Sequence, residues 1–457
     1  MRREFWAPFL AALAAGIVIY GPYLLRPVFS VDSHPFPLHV PMLTEGRWGL
    51  LILQGLLQGA SLEAVSAYYA GGLVFMALAG TGMARLSIPD RSTLQQSAMA
   101  MLVVANAAWV MLTPWGLHFL AVAFGLVLIV GALWAFERLR LFGTMLAAIM
   151  LTFSFSLYQQ NAILAGCVWL IYALAELPHR PSRLLRHGAL WAACVIAGIL
   201  AYLAVLHYGY HAWVNTGGWR ESASPFPKRL LELNLSRVRA TLEAQYMLFM
   251  LVWVAFVASC VAFSTKPRTR TAVAMAAVVL LGFLATYAFT IGLGLGTYER
   301  MLMPLFFTAM LTPVAAGRGL AGGRVCAVGA VTLVLVVGAR AHGYHGKIRH
   351  DNDLSVAIVK HIYSRIDNPN NLPIVLVGNR SDCSYGKGDI PVLCNYWRSH
   401  LFKGVTGNPR IESFSDVGKP DQKAFAASLP VWPARGFANQ HEGVLYARIG
   451  PESSWEQ

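Results

Sequence analysis

Charged side chains are scarce in this sequence. They make up 13% of its 457 residues, roughly half the ~25% that keeps an ordinary domain in water, so the chain is not a soluble protein. Acids are scarcer than bases, 22 against 36, which leaves a net charge of +14. In a soluble domain that excess would point to nucleic acid. Here many arginines fall in short loops between apolar runs, where they set membrane orientation. No nucleic-acid partner is therefore assigned, and the charge is read as topology plus an anionic ligand. Cysteine is rare as well. Of the six, Cys167, Cys194, Cys260 and Cys326 lie inside apolar runs, where a thiol acts as a small hydrophobe. A disulfide scaffold is thus excluded, and only Cys383 and Cys394 are left as a pair to join. Also missing are a P-loop and a Rossmann glycine fingerprint. What is abundant is apolar: 56% hydrophobic residues, with 41 glycines and 13 tryptophans. That suits a bundle with small packing faces and aromatic anchors at the lipid interface.

A helix needs about 20 mostly apolar residues to cross a bilayer. Eleven stretches qualify as expected spans: 5–25, 64–84, 96–113, 117–136, 142–158, 161–177, 188–207, 241–263, 271–294, 301–316 and 325–341. The first has no small-residue cleavage site after Tyr20 and is expected to stay as an anchor. With the amino terminus inside, the inner turns carry Arg2 and Arg3, Arg85 and Arg91, Arg138 and Arg140, Arg180, Arg183 and Arg186, Lys266, Arg268 and Arg270, and Arg318 and Arg324. The opposite short turns, 114–117 and 158–161, have no lysine or arginine. The positive-inside rule then places the amino terminus in the cytoplasm and the carboxyl terminus outside, which in a bacterium is the periplasm.

The fold class expected is an α-helical polytopic membrane protein with a small α/β periplasmic domain. The transmembrane domain spans 1–342, with long outer loops at 26–63 and 208–240, and the α/β domain spans 343–457. In the latter, DLSVAIVKHIYSRI has helical spacing, LPIVLVGN reads as a buried strand ending at glycine, and GVLYARI reads as another strand. Cys383 and Cys394 fall there, in an oxidising compartment, and are expected to form a disulfide.

The first outer loop places Asp32 among Pro27, Pro35, Pro37 and Pro41, which restrict the backbone. A lone acid in so rigid a loop is a candidate general base; the other reading is a turn-former bonding local amides. His34 and His39 could join it around a divalent metal, but no second cluster with ligand spacing accompanies them, so no cofactor is assigned. The run GLLILQGLLQG after Trp48 is too short to span and is expected to lie in the interface as an amphipathic helix. The second outer loop holds Trp213, Trp219, Arg220, Lys228, Arg229, Arg237 and Arg239, an excess of base on the wrong side that an anionic ligand or lipid phosphate explains. Its tryptophans, with Tyr208 and Tyr210, suit sugar stacking or interface anchoring alike. Glu299 and Arg300, in the turn GTYERM, are ionisable residues at the bilayer edge: functional, or simply a mutual ion pair. The turn SLYQQN gathers Tyr158, Gln159, Gln160 and Asn161 at two helix ends, more polar groups than capping requires.

The SVDS after the first span, the EGRW before the interfacial run, the SLYQQ turn and the IVLVGN strand of an outer carboxyl-terminal domain resemble the type II Gtr glucosyltransferases, which modify O-antigen, within the GT-C superfamily. Family members often have adjacent acids where Asp32 here is followed by Ser33 and His34. The resemblance implies transfer of a hexose, glucose above all, from a polyprenyl phosphate sugar to a lipid-linked or polymeric glycan acceptor such as O-antigen lipopolysaccharide. It implies Asp32 as catalytic base, with Arg300, Arg47 and Arg239 on the donor phosphate. Substrate contacts would fall to His34, Tyr158, Gln159, Gln160, Tyr298, Glu299 and Trp219. Partners would be membrane lipids, a flippase and a donor synthase. Two other classes share the outer site: an O-antigen polymerase or ligase, and a transporter of lipid-linked sugars, though no internal repeat is evident.

Overall fold

A computed structural model of the chain describes residues 2–26, 46–57, 62–113, 116–177, 181–211, 236–263, 268–293, 302–317, 319–368, 371–377, 402–403, 405–408, 410–413 and 420–449. The chain divides into two compact units. One carries the helices up to His342 and the other begins at Gly343.

The first unit is helical throughout its described residues: α1 (Arg2–Leu25), α2 (Trp48–Leu57), α3 (Leu62–Ser87), α4 (Thr93–Val104), α5 (Ala107–Val110), α6 (Gly116–Arg138), α7 (Arg140–Leu157), α8 (Asn161–Glu176), α9 (Pro181–Ala204), α10 (Ser236–Ala262), α11 (Arg268–Leu293), α12 (Met303–Ala316) and the start of α13 (Gly319–Ser364). Seven of these, α1, α3, α6, α9, α10, α11 and α13, are long and apolar enough to cross a membrane. The chain is therefore a membrane-embedded, polytopic helical protein. The count of eleven full-length spans is not met. Shorter apolar helices stand at three more of the eleven places, α8, α12 and the 142–157 part of α7, and none of these has bilayer length.

The expected span 96–113 is broken. Asn106 stops α4 after twelve residues, its Oδ1 accepting the Ala108 N–H at 3.0 Å to cap the four-residue α5, while its Nδ2 donates to the Met303 carbonyl at 2.9 Å. An amide side chain that bonds backbone in this way competes with helix continuation. A second correction concerns α13, where the expected span 325–341 and the following soluble helix are one uninterrupted helix of 46 residues. A third concerns α2. Leu50 packs inward on Tyr68, Leu117, Leu120 and Leu157, yet the exposed residues Ile52, Leu56 and Leu57 are equally apolar. The helix suits hydrocarbon on both sides instead of being amphipathic.

The second unit contains a four-stranded sheet in the order β2-β1-β4-β3, with β1 Ile374–Val377, β2 Ile411–Ser413, β3 Ala438–His441 and β4 Val444–Arg448. Central β1 is parallel to both neighbours, and β3–β4 is an antiparallel hairpin. Its turn residues Glu442 and Gly443 both have positive φ, as a two-residue hairpin loop requires. All four residues of β1 are buried, because a parallel strand is covered on both faces. Ile374 and Leu376 pack with Val359 and Ile362 of α13, while Val375 and Val377 pack with Ala426 of α14 (Pro420–Ser428).

Candidate functional site

Several helices of the first unit end or begin around Arg47. It immediately precedes α2. At Gly49, two residues on, α2 lies directly on the end of α7: a Cβ there would sit against Ser156 Oγ and 3.1 Å from the Ser156 carbonyl carbon. Only glycine permits that approach, which fixes where Arg47 and Trp48 stand. The Arg47 guanidinium donates from Nη1 to His118 Nε2 at 2.6 Å and lies 5.2 Å from the centre of the Tyr158 ring. His118 comes from the first turn of α6, and its ring meets Tyr158 edge-on at 6.3 Å. A guanidinium can only donate, so His118 Nε2 accepts at this contact and the imidazole proton stands on Nδ1. Gln159 and Arg47 also face the Tyr202 hydroxyl on α9. Beyond Tyr202 the helix widens into a π turn, Val205–Gly209, a distortion common at functional sites. It brings Tyr210 into a near-parallel stack on Trp48, 6.3 Å and 24° apart.

This arrangement can hold an anion. Arg47 is a partly buried cation with its arm fixed by an aromatic ring and an imidazole. The amino termini of α2, α6 and α8 open in the same neighbourhood, each bearing a partial positive charge. Beside the cation stand neutral polar groups. Gln160 is 3% exposed, and among the described residues neither its oxygen nor its nitrogen finds a partner. Asn161 donates to the Ser154 carbonyl at 2.9 Å, but its own Oδ1 is likewise unmatched. Buried, unmatched amides are costly in a bare protein and read as positions that a ligand or water completes.

Of the residues singled out in the sequence, Arg47, Tyr158 and Gln159 come together here, with Gln160 in the same turn. Arg239 is exposed on the first turns of α10, and no described contact joins it to Arg47. Asp32, His34, His39, Trp219, Tyr298, Glu299, Arg300, Cys383 and Cys394 lie outside the described residues. Sequence reasoning missed His118 and Tyr202, polar side chains inside long apolar runs. It also missed Arg340, which the expected span 325–341 hid. Arg340 is buried, donating from Nε to the Thr241 carbonyl at 2.7 Å and from Nη1 to Glu243 Oε2 at 3.1 Å. Glu243 has a left-handed backbone (φ +43°), so α10 breaks into a 3-10 turn at the place where Arg340 meets it. Among the described residues no three His, Cys, Asp or Glu side chains gather as a metal site would need. No protein-family model, curated protein or solved structure matches the chain.

Proposed function

We propose that this chain is an inverting glycosyltransferase of the bacterial inner membrane, moving a hexose from a polyprenyl phosphate donor to a periplasmic glycan acceptor. The observation that carries the reading is the Arg47 group: a guanidinium among three helix amino termini, next to aromatic faces and unmatched amides. An anionic phosphate suits the first part and a polyhydroxylated sugar the second. In this mechanism Arg47, with Arg300 and Arg239, steadies the departing polyprenyl phosphate, while Gln159, Gln160 and Tyr202 receive sugar hydroxyls. Asp32 takes the proton of the acceptor hydroxyl as that oxygen attacks the anomeric carbon from the face opposite the phosphate. The chain enters the bilayer with its amino terminus cytoplasmic and with both outer loops and the carboxyl-terminal domain periplasmic. Purified protein mixed with radiolabelled polyprenyl phosphate hexoses should move label to a lipid-linked glycan, and to water only slowly. Retention of all label on every donor tried, in protein that binds polyprenyl phosphate, would sink the transferase reading.

A further inference from the structure

Helices α10 and α13 run antiparallel and meet at two separated places. At one, Arg340 holds Thr241 and Glu243. At the other, Cys260 and Cys326 bring their Sγ atoms to 4.0 Å. From Glu243 to Cys260 is seventeen residues and from Cys326 to Arg340 fourteen, about 25 and 21 Å of helix, so both contacts belong to one side-by-side pair. Gly329 sets the approach near the thiols. A Cβ there would lie 2.3 Å from the Phe256 ring, and one turn along, Cys260 faces Cys326. Over Tyr246–Ala262 the buried residues of α10 are only Phe249, Phe256 and Cys260. The thiol pair is thus one of the few anchors of a lightly held helix.

We propose that Cys260 and Cys326 are an oxidisable pair that closes to a disulfide under hydroperoxide and so fixes α10 to α13. A bonded pair has sulfurs about 2.05 Å apart, so each must travel roughly 1 Å from its present position, within reach of small side-chain rotations. The chemistry balances with peroxide as the two-electron oxidant. One thiol gives up its proton as its sulfur attacks a peroxide oxygen; the O–O bond breaks, the departing hydroxide takes that proton to leave as water, and a sulfenic acid results. The second thiol attacks the sulfenyl sulfur, the S–S bond forms, and a second water leaves. Two thiols and one hydrogen peroxide give one disulfide and two waters. On the orientation proposed above, the thiol end faces the cytoplasm, whose reducing pool keeps the pair open at rest. Cys167 and Cys194 are equally buried but come from other helices, and they serve as internal controls.

The test uses the full-length protein in detergent, treated with hydrogen peroxide, quenched, unfolded and alkylated. Mass spectrometry should find a peptide linking Cys260 to Cys326, lost after dithiothreitol, with Cys167 and Cys194 still fully alkylated. Peroxide should also raise the apparent unfolding temperature of the wild type and leave Cys260→Ser and Cys326→Ser unmoved. Equal oxidation of all four buried thiols without the linked peptide overturns the proposal. So does failure of copper phenanthroline, an oxidant that enters apolar phases, to produce the link.

Discussion

Arg47 is held by a ring below and an imidazole beside it, so its planar fork points one way. Lysine keeps the charge but loses the fork and the flat face that lies over Tyr158. Arg47→Lys should weaken polyprenyl phosphate binding by about 10- to 100-fold, the worth of one or two charge-assisted hydrogen bonds. Ligand titration by intrinsic fluorescence reads this, and unchanged affinity removes Arg47 from the phosphate site. Gln160 makes a prediction in which stability and function move in opposite directions. Methionine has nearly its volume and no amide to desolvate, so Gln160→Met should stabilise the bare protein by about 1 to 2 kcal/mol and still lower its affinity for the sugar phosphate. A Gln160 kept only for packing would give a stable variant with normal affinity. For Asp32, the base reading predicts that Asp32→Asn lowers turnover by about 10² to 10⁴ with donor binding intact, measured as steady-state rate beside thermal stability. A turn-forming Asp32 predicts near-normal rates instead. Arg47 and the 158–161 turn were legible in the sequence because each flanks an apolar run as a polar interruption. His118 and Tyr202 were not, since one imidazole or phenol within GLHFLAV or AYLAVLHYGY is indistinguishable from a helix residue until its neighbours are known.

The element that positions the cation is α2, and Gly49 is where it rests on α7. Gly49→Ala puts a methyl group against Ser156 Oγ, so α2 must lift. Such overpacking costs about 1 to 3 kcal/mol, and donor affinity should fall with it because Arg47 and Trp48 ride on the displaced helix. Adding Ser156→Gly removes the hydroxyl and should recover part of both, read by thermal unfolding and ligand titration. A Gly49→Ala protein with full affinity would show that α2 can move without moving the site. Helix places were legible from apolar content alone, whereas helix ends were not. The break at Asn106 depends on a carbonyl 197 residues away, and no local pattern announces it. Strand β1 was legible as a run of branched apolar residues, and β4 as the mixed stretch VLYAR after a glycine. The three-residue β2 and the polar β3 form because those strands offer them edges.

At the scale of the molecule, the scarcity of charge was enough to fix the environment. The proposed orientation rests on the arginines of the turns assigned to the inner side, and it predicts that alkaline phosphatase fused after Gln457 is active. An inactive fusion at normal expression would reverse the map and put the Arg47 group on the wrong side for a periplasmic acceptor. The Asn106 bond to Met303 also has a bearing on how the protein is made. At about 5 to 20 residues per second, the ribosome delivers the Met303 carbonyl roughly 10 to 40 s after Asn106. Until then α4 and α5 are a short, interrupted segment with an amide seeking a partner in hydrocarbon. The contact that completes the Asn106 break is therefore made only once α12 has been synthesised.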